Sequence, residues 1–282
     1  MPDFTITPTP HEEAIALIEG KPIVTREVFD QMLPELRARA FTITGVEGAN
    51  VMQRVRDLIA DLPRGSTWAE SKAGIVDELS PFLGDGAERR AEVLLRTHGF
   101  QAFQASNWRV AQEDEDTTHL QYLATEDDNV RDSHLALNGL ILPKNDPFWD
   151  THFPPWEWGC RCRTRAINPD FLAEAKAEDK DRAPDDQQVI EGPALERLRN
   201  GQLQRDGRTY DVTPPRDTDR EHAFQWHPDN LRLPLAELKE RYDPEVFAAF
   251  ESAMKATQLT EDLTIWAWLN QRRKKPNRSK QS

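Results

Sequence analysis

Residues 152–162 read HFPPWEWGCRC and contain both cysteines of the chain, Cys160 and Cys162. Three aromatic rings and the pair Pro154-Pro155 lie in the same short stretch. Adjacent prolines exclude helix, and large aromatic rings can fill a segment that lacks regular hydrogen bonding. The stretch therefore predicts an irregular loop held by aromatic packing, with two thiols that anchor its end.

The segments that flank this loop predict a small α+β region. Asn138-Gly139 is a strong turn signal in front of a short apolar run, and the acidic cluster at 113–116 also indicates a turn. The predicted elements are a strand at 119–125, a short helix at 129–137 started by Asp128 or Asn129, an irregular segment at 143–162 and a strand at 164–167.

Upstream of residue 113 the sequence predicts helices, because apolar residues recur at spacings of three and four. Thr67 and Glu70 form a capping box, and Pro81 is predicted to end the helix that follows. A long helical pattern covers 87–112. One further apolar stripe comprises Val28, Phe29, Met32, Leu33 and Leu36.

Downstream of residue 168 the pattern weakens. We expect a helix that starts early in 170–190, a hairpin around Asp206-Gly207, and helices at 243–255 and 260–271. The predicted organisation is a helical region at 1–112, a compact core at 113–168, a mixed region at 169–270 and a basic, disordered tail at 271–282.

The charge of the chain is unevenly placed. The 282 residues carry a net charge of −13, and the six basic residues of the tail QRRKKPNRSKQS leave −19 on the rest. A body this acidic excludes nucleic-acid binding over the whole surface. Two interpretations of the tail stay open, a contact with DNA phosphates and a solvated end.

Composition also indicates where the protein is made. No apolar run approaches the ~20 residues needed to cross a bilayer. The first residues lack the basic and apolar regions of a secretory signal, and two cysteines cannot form a disulfide framework. We therefore expect a soluble protein that is synthesised in a reducing cytoplasm and has no membrane partner.

Four side chains near the loop form a candidate zinc site. Two imidazoles and two thiolates suit tetrahedral zinc, but a single residue between the cysteines is tighter than the usual spacing. A disulfide between the two cysteines and a pair of free, packed thiols remain open alternatives. The candidate ligands are His134, His152, Cys160 and Cys162.

Two catalytic hypotheses use the same segment. A nucleophilic cysteine would need a histidine and an orienting acid, for which His134 with Asp132 or Asp128 would serve, although no protease motif is present. A metal-dependent hydrolase or nuclease would draw on oxygen and nitrogen ligands. Those ligands are Asp128, Asp132, His134, Asp146, Asp150 and His152.

An ordered set of residues in this segment resembles the phage Mu F-like minor head proteins, a head-morphogenesis family of tailed phages and prophages. The set is Arg131-x-x-His134, Asn138-Gly139, Asp146-Pro147-Phe148, Pro154-Pro155 and Gly159-Cys160-Arg161-Cys162. The resemblance covers about residues 10–167. It departs from the family pattern at His98, where an asparagine is usual. The motif positions that it implies are Arg131, His134, Gly139, Pro147, Phe148, Pro155, Gly159 and Arg161.

The resemblance implies a structural role rather than catalysis. A protein of this kind is a minor capsid component that contacts the portal and capsid proteins, assembles in the host cytoplasm and is found in the virion head. In some phages it aids DNA packaging or ejection. The family is also found attached to toxin domains, and residues 170–282 carry no recognisable catalytic motif, so no catalytic residue is assigned.

Overall fold

A computed structural model describes residues 11–32, 34–157, 159–214, 226–228 and 239–256. The fold is α+β, as the sequence predicted. The chain divides into two compact units, Met1–Ala102 with Asp229–Ser282, and Phe103–Pro228. Trp158, the helix expected at 260–271 and the basic tail lie outside the described residues. No described helix is both long enough and apolar enough to span a bilayer.

The first unit is built from helices. Thr67 caps a long helix by accepting from the backbone N–H of Glu70, and Glu70 accepts in return from Thr67, so the predicted capping box is confirmed. Its helices, in chain order, are α1 (Glu12–Glu19), α2 (Arg26–Gln31), α3 (Pro34–Arg37), α4 (Ala49–Arg64), α5 (Trp68–Leu83), α6 (Ala87–Leu94) and, from the later segment, α12 (Pro244–Ala256). Helix α7 (Phe100–Glu113) begins in this unit, and most of its residues belong to the second.

Two local expectations in this unit were wrong. The stripe that contains Met32 does not form one helix, because Met32 is extended and Pro34 starts a new turn. Pro81 does not end α5, which runs on to Leu83, since a proline removes one hydrogen bond without excluding helical angles in the residues after it. The long helical pattern at 87–112 is confirmed, with a π-helical turn at Leu95–Gly99 between α6 and α7.

The core of the first unit joins its two sequence segments. Apolar side chains of α12 pack with residues that flank α2 and α3, which explains why a segment so late in the chain belongs to this unit. The cluster comprises Val24, Met32, Leu36, Ala40, Tyr242, Val246, Phe247, Phe250 and Met254.

The second unit contains an antiparallel three-stranded sheet in the order β2-β1-β3. Its strands are β1 (His119–Leu123), β2 (Ile141–Pro143) and β3 (Arg163–Ile167). His119 pairs with Pro143 on one side and with Ile167 on the other. The central strand β1 thus pairs with β2, which precedes the aromatic loop, and with β3, which follows it. The predicted strands are confirmed.

Short helices connect the strands. Helix α8 (Asp132–Ala136) begins later than expected, because Asp127 accepts from the N–H of Asn129 and holds that segment in a turn. The segment predicted to be irregular contains a helical turn, α9 (Trp149–His152). The backbone N–H of Phe148 donates to the carboxylate of Asp146, and this bond fixes the start of that turn.

The remainder of the second unit packs beside the sheet. A hairpin reverses at Asp206 and Gly207, both at positive φ, as its two-residue turn requires. Val189 forms an isolated bridge to Ile141 and extends the apolar contact of β2. The elements are α10 (Pro169–Asp179), α11 (Gly192–Arg199), β4 (Gln202–Arg205) and β5 (Arg208–Asp211).

Candidate functional site

The aromatic loop folds its two thiols onto one imidazole. Nδ1 of His134 lies 3.6 Å from Sγ of Cys160 and 3.5 Å from Sγ of Cys162. Among the described residues, these three form the only group of three or more His, Cys, Asp or Glu side chains close enough to hold one metal ion. All three are buried and both thiols are free. The arrangement therefore offers three buried donors to a soft metal ion, and a tetrahedral ion bound there would have one further coordination position.

The single residue between the cysteines explains why both thiols reach the same side. In extended chain, alternate side chains point in opposite directions. Arg161 points away from the imidazole and forms a bidentate ion pair with Asp127, with Nη2 2.6 Å from the carboxylate. Its backbone carbonyl accepts from the hydroxyl of Thr125 at 2.7 Å. The spacing that counts against a standard zinc finger thus presents both sulfurs to His134.

His134 is held in place by its helix and by a ring stacked upon it. It lies in α8, which is followed directly by the turn at Gly139, where φ is +80°. Trp156 stacks on the imidazole with ring centroids 4.2 Å apart and planes 13° apart. Because the indole covers one face of the ring, His134 can approach the thiols only along its edge.

The central strand contributes a phenol to this cluster. Tyr122 is fully buried, and its hydroxyl accepts from Nε1 of Trp156 at 2.9 Å. The same hydroxyl lies 3.4 Å from Nδ1 of His134. Strand β1 is thereby connected to α8 and to the loop through one buried polar contact.

The other nitrogen of His134 faces an acid. Nε2 lies 3.6 Å from a carboxylate oxygen of Glu157, and that carboxylate is 2.9 Å from Nε of Arg131. The carboxylate that orients the imidazole is therefore Glu157, in place of Asp132 or Asp128. Both of those aspartates are exposed.

These contacts move the pKa values of the cluster in opposite directions. A hydrogen bond from the thiol of Cys160, joined by those from His134 and Tyr122, lowers the pKa of Cys162. The same bond, together with burial, raises the pKa of Cys160. Burial lowers the pKa of His134, but its contact with Cys162 and the nearby carboxylate of Glu157 outweigh that effect and raise the pKa overall. The cluster thus favours one thiolate beside one imidazolium.

His152, the fourth candidate ligand, is used elsewhere. Its Nε2 lies 2.7 Å from the carbonyl oxygen of Val212, and its Nδ1 lies 2.8 Å from the hydroxyl of Thr151. A neutral imidazole that donates to the carbonyl and accepts from the hydroxyl has no nitrogen left for a metal. The ring also stacks on Phe148, with centroids 4.1 Å apart. The structure brings together three of the four proposed ligands.

The carboxylates proposed for a hydrolytic metal site are not gathered around His134. Asp146 is buried, but it is bound to Arg199 at 2.6 Å and to the backbone N–H of Phe148 at 2.9 Å. Asp128 and Asp150 are exposed. Within the part of the chain that the structure describes, these acids form no cluster of three with a histidine.

The remaining motif positions shape the backbone around the cluster. Pro155 is buried and follows a cis peptide bond, and Phe148 is buried against His152. Gly159 has φ of +73°, a conformation that favours glycine, just before the first cysteine. Pro147 is exposed and lies just before α9. These residues position the loop and offer no reactive group.

The chain matches one protein family over the region that contains this cluster. Residues 32–165 match the family described as "Phage Mu protein F like protein". This region of the chain is similar to Mu F-like proteins.

Two curated relatives support this assignment. The "Mu-like prophage FluMu F protein" of Haemophilus influenzae is 32% identical over 157 residues, which cover 49% of this chain and 37% of the relative. The "Putative capsid assembly protein F" of Escherichia phage Mu is 24% identical over 178 residues, 56% of this chain and 40% of the relative. The chain therefore spans less than half the length of either relative. No solved structure matches it.

Three members of the cluster were not among the candidate site residues that the sequence analysis named. Tyr122, Trp156 and Glu157 contact His134, although they lie on two different elements. Trp156 and Glu157 fall inside the dense stretch that drew attention, so their proximity to the cysteines was visible. The tyrosine carried no signal, because only the strand register places it beside the imidazole.

A second buried polar cluster lies in the first unit. Nζ of Lys21 is 3.2 Å from Nδ1 of His98 and 3.3 Å from Oε1 of Gln101. His98 belongs to the π-helical turn, at the position where the family resemblance noted above led us to expect asparagine. Burial lowers the pKa of Lys21 from 10.5 to about 7, and burial beside Lys21 lowers the pKa of His98.

Proposed function

We propose that this chain acts in phage head morphogenesis as a capsid assembly protein. The observation that carries the proposal is the family match over residues 32–165, together with a phage Mu relative whose name is "Putative capsid assembly protein F". The matched region includes residues 32–102 of the first unit and the cluster around His134.

A more specific role is a minor head protein that contacts the portal and capsid proteins and aids DNA packaging or ejection. The inward orientation of the motif supports this role. His134, Cys160 and Cys162 are buried, so they stabilise the loop and do not face a substrate. A rigid, irregular loop on a small sheet is suited to presenting a fixed surface to a protein partner.

The hydrolase hypothesis receives no comparable support. Asp146 and His152 are bonded to Arg199 and to Val212 respectively, as described above. A hydrolytic metal site needs ligands that leave a position open for water or substrate. We therefore propose a binding function alone.

The test is genetic and uses the phage or prophage that carries the gene. Disruption of the gene by an early stop codon should abolish DNA-filled heads in electron micrographs of lysates, and the wild-type gene supplied in trans should restore them. Mass spectrometry of purified heads should detect the chain at few copies relative to the major capsid protein. Normal numbers of filled heads after disruption would refute the proposal.

Contact with the portal has a separate test. Chemical cross-linking of purified heads, followed by mass spectrometry, should join lysines of this chain to the portal protein. Cross-links to the major capsid protein alone would contradict the portal contact. They would remain consistent with the proposed role in capsid assembly.

A further inference from the structure

We propose that Nδ1 of His134 and the sulfurs of Cys160 and Cys162 bind one structural zinc ion. The ion would join the aromatic loop to helix α8. This site goes beyond the assembly role and does not depend on it.

The distances between the donor atoms are those of a tetrahedral site. Zinc–sulfur bonds of about 2.3 Å and zinc–nitrogen bonds of about 2.0 Å at tetrahedral angles separate nitrogen from sulfur by about 3.6 Å. The two separations from Nδ1 of His134 are 3.6 Å to Cys160 and 3.5 Å to Cys162. The two nitrogen–sulfur separations therefore match two edges of a zinc-sized tetrahedron, and all three donor atoms lie within 4.8 Å of one another.

The orientation of the imidazole supports metal binding through Nδ1. A metal-bound imidazole carries its proton on the other nitrogen, which commonly faces a carboxylate. Nε2 of His134 is buried, makes no hydrogen bond within the described residues, and points at Glu157 from 3.6 Å. Metal binding at Nδ1 would place the proton on the side of the carboxylate and let this contact shorten into a hydrogen bond.

The surroundings of the three donors favour a closed, structural site. The hydroxyl of Tyr122, inside the fold, lies 3.4 Å from Nδ1, so a buried phenol borders the site. The exposed fractions of the three ligands are 2% for His134, 3% for Cys160 and 2% for Cys162. Two thiolates with an imidazole select zinc over magnesium or calcium, and a site without access for substrate is structural.

The first measurement is metal content of the wild-type chain. The full-length protein is produced without a metal-binding tag in zinc-supplemented medium, dialysed against metal-free buffer and analysed for metals, with thiols titrated before and after a strong chelator. We expect about one zinc per chain and thiols that react only after chelation. Negligible zinc with two reactive thiols, or with a mass that shows a Cys160–Cys162 disulfide, would overturn the proposal.

Cobalt replacement identifies the ligands. Addition of cobalt(II) to the chelated protein should give the visible bands of tetrahedral cobalt and a sulfur-to-metal charge-transfer band. An octahedral spectrum without charge transfer would overturn the tetrahedral thiolate site.

Variants then assign the donors. The double variant Cys160→Ser, Cys162→Ser should lose zinc, and His134→Gln should lower zinc retention after dialysis at least tenfold. His119→Ala, a partly exposed histidine of the same unit, and His152→Gln serve as matched controls and should retain about one zinc. Zinc that persists in the cysteine double variant, or that is lost in His152→Gln while circular dichroism shows a folded chain, would overturn the assigned ligands. If the cysteine variant does not fold, the wild-type metal and thiol counts still decide the question.

Discussion

Replacement of Lys21 by methionine should change how the stability of the first unit depends on pH. The ammonium is buried among Gln101, His98 and the backbone, and its pKa in the folded chain is about 7 instead of 10.5. Between these two values the unfolded chain binds the proton more tightly than the folded chain. Stability therefore rises with pH across this interval. A base whose pKa is raised in the folded chain has the opposite effect, because its contribution is lost as pH rises through that pKa.

The magnitude follows from the two pKa values. Each pH unit between 7 and 10.5 adds about 1.4 kcal/mol to the free energy of unfolding of the wild type, or roughly 5 kcal/mol over the whole interval. Lys21→Met removes this dependence. It also removes two hydrogen bonds, at a cost of about 1–3 kcal/mol, but that cost is the same at every pH in the interval.

The assay is urea denaturation of the wild type and Lys21→Met at pH 7.5, 8.5 and 9.5, and the quantity compared is the difference between their free energies of unfolding. The free energy of unfolding of the wild type should rise relative to that of Lys21→Met at each pH step. The effects of groups that titrate in both proteins cancel in this difference. Lys72→Met is the matched control. Glu88 and Glu92 raise the pKa of Lys72 above 10.5, so its contribution to stability is constant between pH 7.5 and 9.5. A difference between wild type and Lys21→Met that stays constant with pH would refute the reasoning.

Three further predictions concern the second unit and the tail. Asp146→Asn should lower the free energy of unfolding by about 1–3 kcal/mol, because the buried carboxylate loses its charge-assisted hydrogen bond from Arg199. The control Asp150→Asn changes an exposed residue and should alter the free energy of unfolding by less than about 0.5 kcal/mol in the same denaturation series. Gly139→Ala should lower the free energy of unfolding by about 1–2 kcal/mol, because φ is +80° at this position. Gly48→Ala, where φ is −74°, should lower it by less, and equal losses would contradict the backbone argument. Removal of residues 271–282 should weaken DNA binding at low salt and flatten its salt dependence in a filter-binding assay, and an unchanged slope would exclude the tail as the contact.

Local chemistry let the sequence predict much of the fold. The capping box at Thr67, the turn at Asn138-Gly139 and the hairpin at Asp206-Gly207 each depend on backbone preferences of adjacent residues, so they were visible in a short window. The expectation that Pro81 ends a helix was wrong for a related reason. A local rule states what a proline disfavours, whereas the packing of the whole of α5 decides whether the helix continues.

The sequence also determined the character of the candidate site, namely the thiols, the imidazole and the aromatic loop that carries them. Only the tertiary structure decided which partners meet. Tyr122 reaches His134 through strand pairing, and Glu157 replaces the aspartates as the acid beside the imidazole. His152 is withdrawn from the ligand set by the carbonyl of Val212, which lies 60 residues further along the chain. Contacts between distant segments depend on register and packing of the whole unit, which no local pattern encodes.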